Sequence, residues 1–107
     1  MIPMTLADVA TAVGGTLAGA DPAATVTGSV EFDSRAVTAG GLFAAFDGAT
    51  VDGHEFAAPA VERGAVAVLA TRPVRAPAIL VDDARAALGR LAGEVLRRLP
   101  ELTVVGL

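Results

Sequence analysis

Two clusters of polar residues stand out in a chain in which apolar residues make up 53% of the sequence. One cluster follows a segment of alternating apolar residues, and the other precedes a segment with helical character. The two clusters consist of Asp33, Ser34, Arg35, Asp52, Gly53, His54 and Glu55. Because loops carry binding residues more often than the elements they join, we expect these residues to form a site on a scaffold.

Binding of a polar or anionic ligand is the chemistry that these residues suit. A helix that begins near His54 would offer unpaired N–H groups and the positive end of its dipole. Ser34 adds a hydroxyl group, and Arg35 adds a positive charge. Nucleophilic catalysis by Ser34 with His54 is not favoured, because no G-x-S-x-G sequence surrounds the serine.

The same residues also have a structural interpretation. Asp33 and Ser34 can end a strand by hydrogen bonding to nearby backbone groups. Arg35 can form a solvent-exposed ion pair with Asp33 or Glu31, which contributes at most about 1 kcal/mol. The second cluster can be explained simply as the cap and the exposed first turn of a helix. From the residues alone, both interpretations stay open.

Composition and charge exclude several other functions. The net charge is −4 and all eight basic residues are dispersed arginines, so we expect no nucleic-acid-binding face. The absence of cysteine and the single histidine exclude a zinc site. The sequence contains neither G-x-G-x-x-G nor G-x-x-x-x-G-K-[ST], so we expect no bound cofactor. No apolar window is long enough to span a membrane, and no export signal is present.

The elements that position the clusters are predicted from periodicity. Residues 26–32 alternate as a half-buried strand near a sheet edge, with Phe32 on the apolar side. Residues 42–46 suit a buried strand. Asp52 and Glu55 predict a helix that ends near Arg63, in which Pro59 is awkward, so either its first turn is irregular or its regular part starts later.

The rest of the chain predicts alternating helices and strands. Thr5 caps a helix that buries Leu6, Val9, Ala10 and Val13 and ends at Gly14. Strands are predicted at 16–18, at 65–70 in the centre of the sheet, at 78–81 and from 102. Asp82 or Asp83 caps a last helix, whose apolar stripe is Leu88, Leu91, Ala92, Val95, Leu96 and Leu99 and whose arginines are solubilising. The fold class is therefore α/β, with a small mixed or largely parallel sheet flanked by helices.

A resemblance to a known family rests on motifs over residues 30–70. They read F-D-S-R at 32–35, G-G-L-F-A-A at 40–45, D-G at 47–48, D-G-H-E-F at 52–56, A-V at 60–61 and G-A-V-A-V at 64–68. In order and spacing they resemble the N-terminal domain of the Mur ligases, the ATP-dependent amide ligases of peptidoglycan precursor synthesis. Departures from the family pattern are Gly41, where an acidic residue is common, and Pro59.

The resemblance implies a division of labour within a longer parent chain. The N-terminal domain binds the UDP-MurNAc end of the substrate, a central domain binds ATP and magnesium, and a C-terminal domain helps to bind the incoming amine. The substrate carboxylate is activated as an acyl phosphate, which the amine attacks. The partners of this chain would be the UDP-MurNAc-peptide and the other two domains. It would hold no catalytic residue or metal and be inactive alone, and the parent would be a monomer in the bacterial cytoplasm.

The resemblance also assigns the site residues. The uridine-contacting positions fall on Phe32, Ser34 and the loop of Ala49, Thr50 and Val51. The positions that shape or line the same pocket are Arg35, Asp52, Gly53 and His54. Because residues 49–51 carry little polarity, backbone groups of this loop are expected to recognise the uracil.

The stage of the pathway is the last expectation. V-D-D at 81–83 followed by A-L-G-R-L-A at 87–92 is most like the ligase that adds D-alanyl-D-alanine. The ligase that adds the third peptide residue is the alternative, but residues 96–102 lack its Phe-Tyr and Pro-Ser segment. A stand-alone α/β interaction module is a further alternative. On the ligase interpretation, residues 1–100 form the substrate domain and 101–107 begin the central ATP-binding domain.

Overall fold

A five-stranded sheet with helices on both faces forms the centre of the molecule. The structure is a computed structural model that describes residues 3–46 and 53–98. Its elements are β1 (Met4–Thr5), α1 (Leu6–Val13), β2 (Thr16–Ala18), β3 (Thr25–Val26), β4 (Val30–Glu31), β5 (Leu42–Ala44), α2 (Ala57–Glu62), β6 (Ala67–Ala70), β7 (Ala78–Leu80) and α3 (Ala84–Arg98), with 3-10 helices at Ser34–Ala36 and Gly53–Phe56. The predicted Thr5 cap and Gly14 end of α1 are confirmed.

The sheet is mixed but largely parallel, as the sequence predicts. Its strand order is β2-β7-β6-β5-β4. Strands β4, β5, β6 and β7 are parallel, and β2 pairs antiparallel with β7 at one edge. The apolar run at 65–70 supplies β6, which is the central strand. The carboxyl ends of β4, β5, β6 and β7 therefore lie along one edge of the sheet.

Alternation along the central strands divides the core between the two faces. Leu42 and Ala44 of β5 contact the cluster that includes α1 and α3. Phe43 and Ala45, which point to the opposite face, pack in the cluster that includes α2. Because both faces are covered, these strands are apolar at every position, as is usual for parallel sheets.

The single strand predicted at 26–32 is wrong: the segment forms two strands in two sheets. β3 pairs with β1, a strand that the sequence analysis missed, and β4 forms the edge beside β5. Between them, the backbone N–H groups of Thr27 and Gly28 both donate to the carbonyl oxygen of Gly40. Because both N–H groups bond to Gly40, the segment does not continue as one strand of a single sheet.

The position of Pro59 is explained by a late start of the regular helix. The 3-10 helix Gly53–Phe56 comes first, and Pro59 is the third residue of α2. The first four N–H groups of an α-helix have no partner within the helix, so the missing N–H of proline costs no hydrogen bond there.

Helix α3 buries the predicted stripe in part: Leu91 is buried, and Leu88 and Val95 are partly buried and pack against the same core cluster. Asp83 is the cap, since its Oδ1 accepts from the backbone N–H groups of Arg85 and Ala86. The buried residues are Ala84, Ala87 and Leu91, whereas Ala92 and Leu96 are exposed. Leu99 and the strand predicted from 102 lie outside the described residues.

The arginines of α3 are not only solubilising. Arg90 donates to the carbonyl oxygen of Val13 over 3.2 Å. Arg98 lies 2.9 Å from Glu94 and 3.5 Å from Asp8 of α1. The contacts of Arg90 with Val13 and of Arg98 with Asp8 connect α3 to α1, the two helices that cover one face of the sheet.

Candidate functional site

The polar turn after β4 is held by Asp33. Its Oδ1 accepts from the backbone N–H of Arg35 over 2.9 Å, and the Arg35 guanidinium donates from Nε over 3.1 Å and from a terminal nitrogen over 2.9 Å. These hydrogen bonds from Arg35 lower the pKa of the Asp33 carboxyl, and the side-chain bonds raise the pKa of Arg35. The structural interpretation of Asp33 and Arg35 is therefore confirmed, and both side chains remain accessible to solvent.

Ser34 differs from its two neighbours. It is only 8% exposed, yet within the described part of the chain its hydroxyl group has no hydrogen-bonding partner. It also lines the cavity beside β4 and β5. The hydroxyl oxygen itself is not fully buried, so it is accessible for a hydrogen bond with a molecule in the cavity.

Gly53 packs directly on the end of β5. Its N–H donates to the carbonyl oxygen of Phe46 over 2.7 Å. A Cβ atom at this position would lie 2.7 Å from both the nitrogen and the oxygen of Phe46. Any larger residue would push the 3-10 helix away from the sheet, so Gly53 brings the second cluster against the first.

His54 is buried rather than exposed, and it supports the site without lining it. Its Nε2 atom accepts the backbone N–H of Thr71, the residue after β6, over 3.1 Å. It is 7% exposed and does not line the cavity beside Ser34. The first turn at His54 is a 3-10 helix, and the regular helix α2 begins later, at Ala57, as one of the alternatives for this segment predicts. His54 thus anchors the 3-10 helix to β6.

The cavity that these elements enclose has a volume of about 510 Å³. Four of the expected site residues, Phe32, Ser34, Arg35 and Gly53, line it together with Asp33. The expected uridine-contacting residues Ala49, Thr50 and Val51, and the pocket residue Asp52, lie outside the described residues. Phe32 is 74% exposed, contrary to the predicted strand pattern, and its ring centroid lies 6.3 Å from that of Phe46.

The sequence analysis missed three residues of this cavity. Phe43, Phe46 and Phe56 line it along with Phe32, so all four phenylalanines of a chain without Trp or Tyr are at one site. The scarcity of aromatic residues, at 4% of the sequence, is the signal that could have identified them. Aromatic rings offer flat apolar surfaces to a planar ring. The cavity therefore suits a ligand with a planar base and polar substituents.

Two further observations limit the chemistry of the described residues. They contain no group of three or more His, Cys, Asp or Glu residues that could hold a metal ion. None of the helices within 3–46 and 53–98 has the length and apolar character needed to cross a membrane.

Comparison with known proteins gives a family match over more than half of the chain. Residues 26–95 match the model described as "Mur ligase family, catalytic domain". The UDP-N-acetylmuramoyl-tripeptide–D-alanyl-D-alanine ligase of Mycobacterium leprae is 55% identical over 98 residues, which cover 87% of this chain and 19% of the relative. The UDP-N-acetylmuramoyl-L-alanyl-D-glutamate–2,6-diaminopimelate ligase of Geobacillus thermodenitrificans is 49% identical over 84 residues, or 73% and 17% of the two chains.

Solved structures agree with the sequence matches. A crystal structure of MurF from Acinetobacter baumannii superposes with a TM-score of 0.73 at 30% identity, over 83% of this chain and 20% of that one. The α/β fold is that of the MurF N-terminal domain, and the expected fold class is confirmed. The chain spans about a fifth of the length of these relatives.

Proposed function

The chain belongs to the Mur ligase family, and on this premise we propose that it is the substrate-recognition domain of a MurF-type ligase. The parent enzyme would add D-alanyl-D-alanine to UDP-MurNAc-tripeptide in peptidoglycan precursor synthesis. The domain would bind the uridine nucleotide end of that substrate in the cavity at Phe32, Ser34 and Phe46. The relative from M. leprae, which is named for this reaction, supports the proposal.

One observation in this chain carries the proposal: Ser34, a residue only 8% exposed, presents a hydroxyl group that has no partner among the described residues to a cavity lined by phenylalanines. The apolar rings suit a uracil base, and the hydroxyl suits one of its polar substituents. A binding cavity at the carboxyl ends of parallel strands is also the usual arrangement in open α/β sheets.

The remaining steps of catalysis are assigned to the rest of the parent chain. Residues 101–107 would begin a central domain that supplies ATP and Mg²⁺, and a C-terminal domain would help to bind the dipeptide. We place the parent in the bacterial cytoplasm as a monomer. The reading frame beyond Leu107 should then continue with a glycine-rich phosphate-binding loop close to T-G-x-x-G-K-T. A stop codon there would contradict this assignment.

The ligase that adds diaminopimelate is the second candidate, because a relative named for that reaction is 49% identical. Activity of the full-length parent distinguishes the two. We expect product from UDP-MurNAc-tripeptide, D-alanyl-D-alanine and ATP. We expect none from UDP-N-acetylmuramoyl-L-alanyl-D-glutamate, diaminopimelate and ATP. The reverse result would assign the chain to the second candidate.

Binding by the 107-residue chain tests the recognition role directly. We expect weak but saturable binding of UDP-MurNAc-tripeptide, because the other domains that would close over the ligand are missing. We expect no ATP hydrolysis by the chain alone. No binding at millimolar ligand would contradict the proposal.

A further inference from the structure

A second cavity adjoins the first along the carboxyl edge of the sheet. Its volume is about 360 Å³. Its lining comes from residues that follow β5, β6 and β7: Ala45, Phe46, Thr71, Asp82, Asp83, Ala84 and Arg85. Phe46 lines both cavities. A ligand that contacts Phe46 in the first cavity can therefore extend into the second without leaving the protein surface.

Arg85 is the cation of the second cavity, and it lies against Phe46, the residue that the two cavities share. The central carbon of its guanidinium lies 5.4 Å from the ring centroid of Phe46, which is a cation–π distance. No carboxylate within residues 3–46 and 53–98 forms an ion pair with it. Arg35, on the other side of the site, is already held by both oxygens of Asp33. Both guanidinium groups have N–H donors left, but of these two arginines only Arg85 has no carboxylate partner among the described residues.

The aspartates of the second cavity do not remove this role. Asp83 is engaged as the cap of α3, where its Oδ1 accepts from two backbone N–H groups. Asp82 is exposed, and both carboxylates disfavour an anion on their own side of the cavity. Arg85 lines the second cavity and not the first, so an anionic group would contact it where the second cavity meets Phe46.

We propose that Arg85 binds the diphosphate of a uridine nucleotide whose base contacts the phenylalanine-lined cavity. The inference rests on the proposed function and adds a contact for the charged part of the ligand. A guanidinium offers several N–H donors in one plane, which match the oxygens of a phosphate group. Its contact with Phe46 places these donors next to the surface that the base would occupy.

Affinities for uridine, UMP and UDP test the proposal in the 107-residue chain and in the Arg85→Gln variant. We expect the variant to bind uridine as the unaltered chain does and to bind UDP about fivefold more weakly, as fits loss of an exposed charge contact. The Arg85→Lys variant keeps the charge but not the planar arrangement of N–H donors. Its affinity for UDP should therefore lie between that of the unaltered chain and that of Arg85→Gln. Arg97→Gln is the matched control, because Arg97 lies on the same helix, is 78% exposed and pairs with Glu94.

The outcomes separate this inference from the proposed function. If Arg85→Gln loses affinity for uridine and UDP equally, Arg85 only supports the Phe46 ring. If its affinity for UDP is unchanged, Arg85 contacts no phosphate. Either result overturns the inference and leaves the proposed function standing. If the unaltered chain binds none of the three compounds, both are contradicted. Spectra of the backbone amides show that each variant is folded.

Discussion

The Nε2 atom of His54 accepts a hydrogen bond from the backbone N–H of Thr71 over 3.1 Å. This bond joins the 3-10 helix Gly53–Phe56 to the end of β6, 17 residues further along the chain. A histidine that the sequence analysis considered as a pocket residue therefore acts on the pocket indirectly. It fixes the segment from which Gly53 and Phe56 reach the cavity.

Replacing His54 by alanine should destabilise the protein. The variant loses a buried ring and leaves the Thr71 N–H without this acceptor, which together cost about 1–3 kcal/mol of unfolding free energy. Urea unfolding measures the change. The control is Glu55→Ala at the exposed neighbouring position, which should shift the free energy by no more than about 0.5 kcal/mol. Equal stability of the two variants would show that the anchor is unimportant.

Alanine at two glycine positions should have opposite effects. At Gly53 the added Cβ would meet the Phe46 backbone at 2.7 Å, so we expect a loss of about 1–3 kcal/mol and weaker ligand binding. At Gly89, in α3, nothing lies within 4 Å of the added atom. There the higher helix propensity of alanine should stabilise the protein by up to about 1 kcal/mol. Thermal unfolding of both variants checks the two signs, and a stable Gly53→Ala variant would contradict the close packing.

The Asp33–Arg35 pair predicts a pH dependence. Because hydrogen bonds from Arg35 lower the pKa of Asp33 in the folded state, the pair stabilises the fold above the unfolded-state pKa and loses this contribution as pH falls through the folded-state pKa. The window lies below about pH 4. In Arg35→Ala, the pKa of Asp33 measured by carboxyl ¹³C chemical shifts should rise towards its ordinary value. An unchanged pKa would show that the Arg35 side chain is not the cause.

Phe32 should matter for binding and not for stability. Its side chain is 74% exposed, so Phe32→Ala should change the unfolding free energy by no more than about 0.5 kcal/mol. Its ring lines the cavity, so the variant should bind UDP-MurNAc-tripeptide several-fold more weakly. Leu96→Ala is the control, because Leu96 is a large apolar residue that is 68% exposed and lies outside this cavity. Equal affinities of the two variants would exclude Phe32 from the site.

The parts of the fold that the sequence predicts are those set by local signals. Thr5 and Gly14 bound α1 because capping depends on neighbouring residues. The apolar runs gave β5, β6 and β7, because strands covered on both faces are apolar at every position. The break at Thr27 and Gly28 was not predictable, since it depends on the distant carbonyl group of Gly40.

The site was predicted only in part, because the sequence shows motif positions but not contacts between distant residues. Family spacing identified Phe32, Ser34 and Gly53, all of which line the cavity. It did not separate the lining role of Gly53 from the anchoring role of His54, because the second depends on a hydrogen bond to Thr71. Arg85 was missed because its contact with Phe46 joins residues that are far apart in the sequence.

Titration of the ¹⁵N-labelled chain with UDP-MurNAc-tripeptide, with and without the Ser34→Ala substitution, tests the central claim most directly. The account predicts saturable amide shifts concentrated at residues 32–35, 46 and 53–56. It also predicts an affinity loss of about twofold to tenfold in Ser34→Ala, because one hydrogen bond to the ligand is removed. The control, Ser29→Ala at an exposed position outside this cavity, should bind as the unaltered chain does. Shifts elsewhere on the molecule, or equal affinities of the Ser34 and Ser29 variants, would contradict the account.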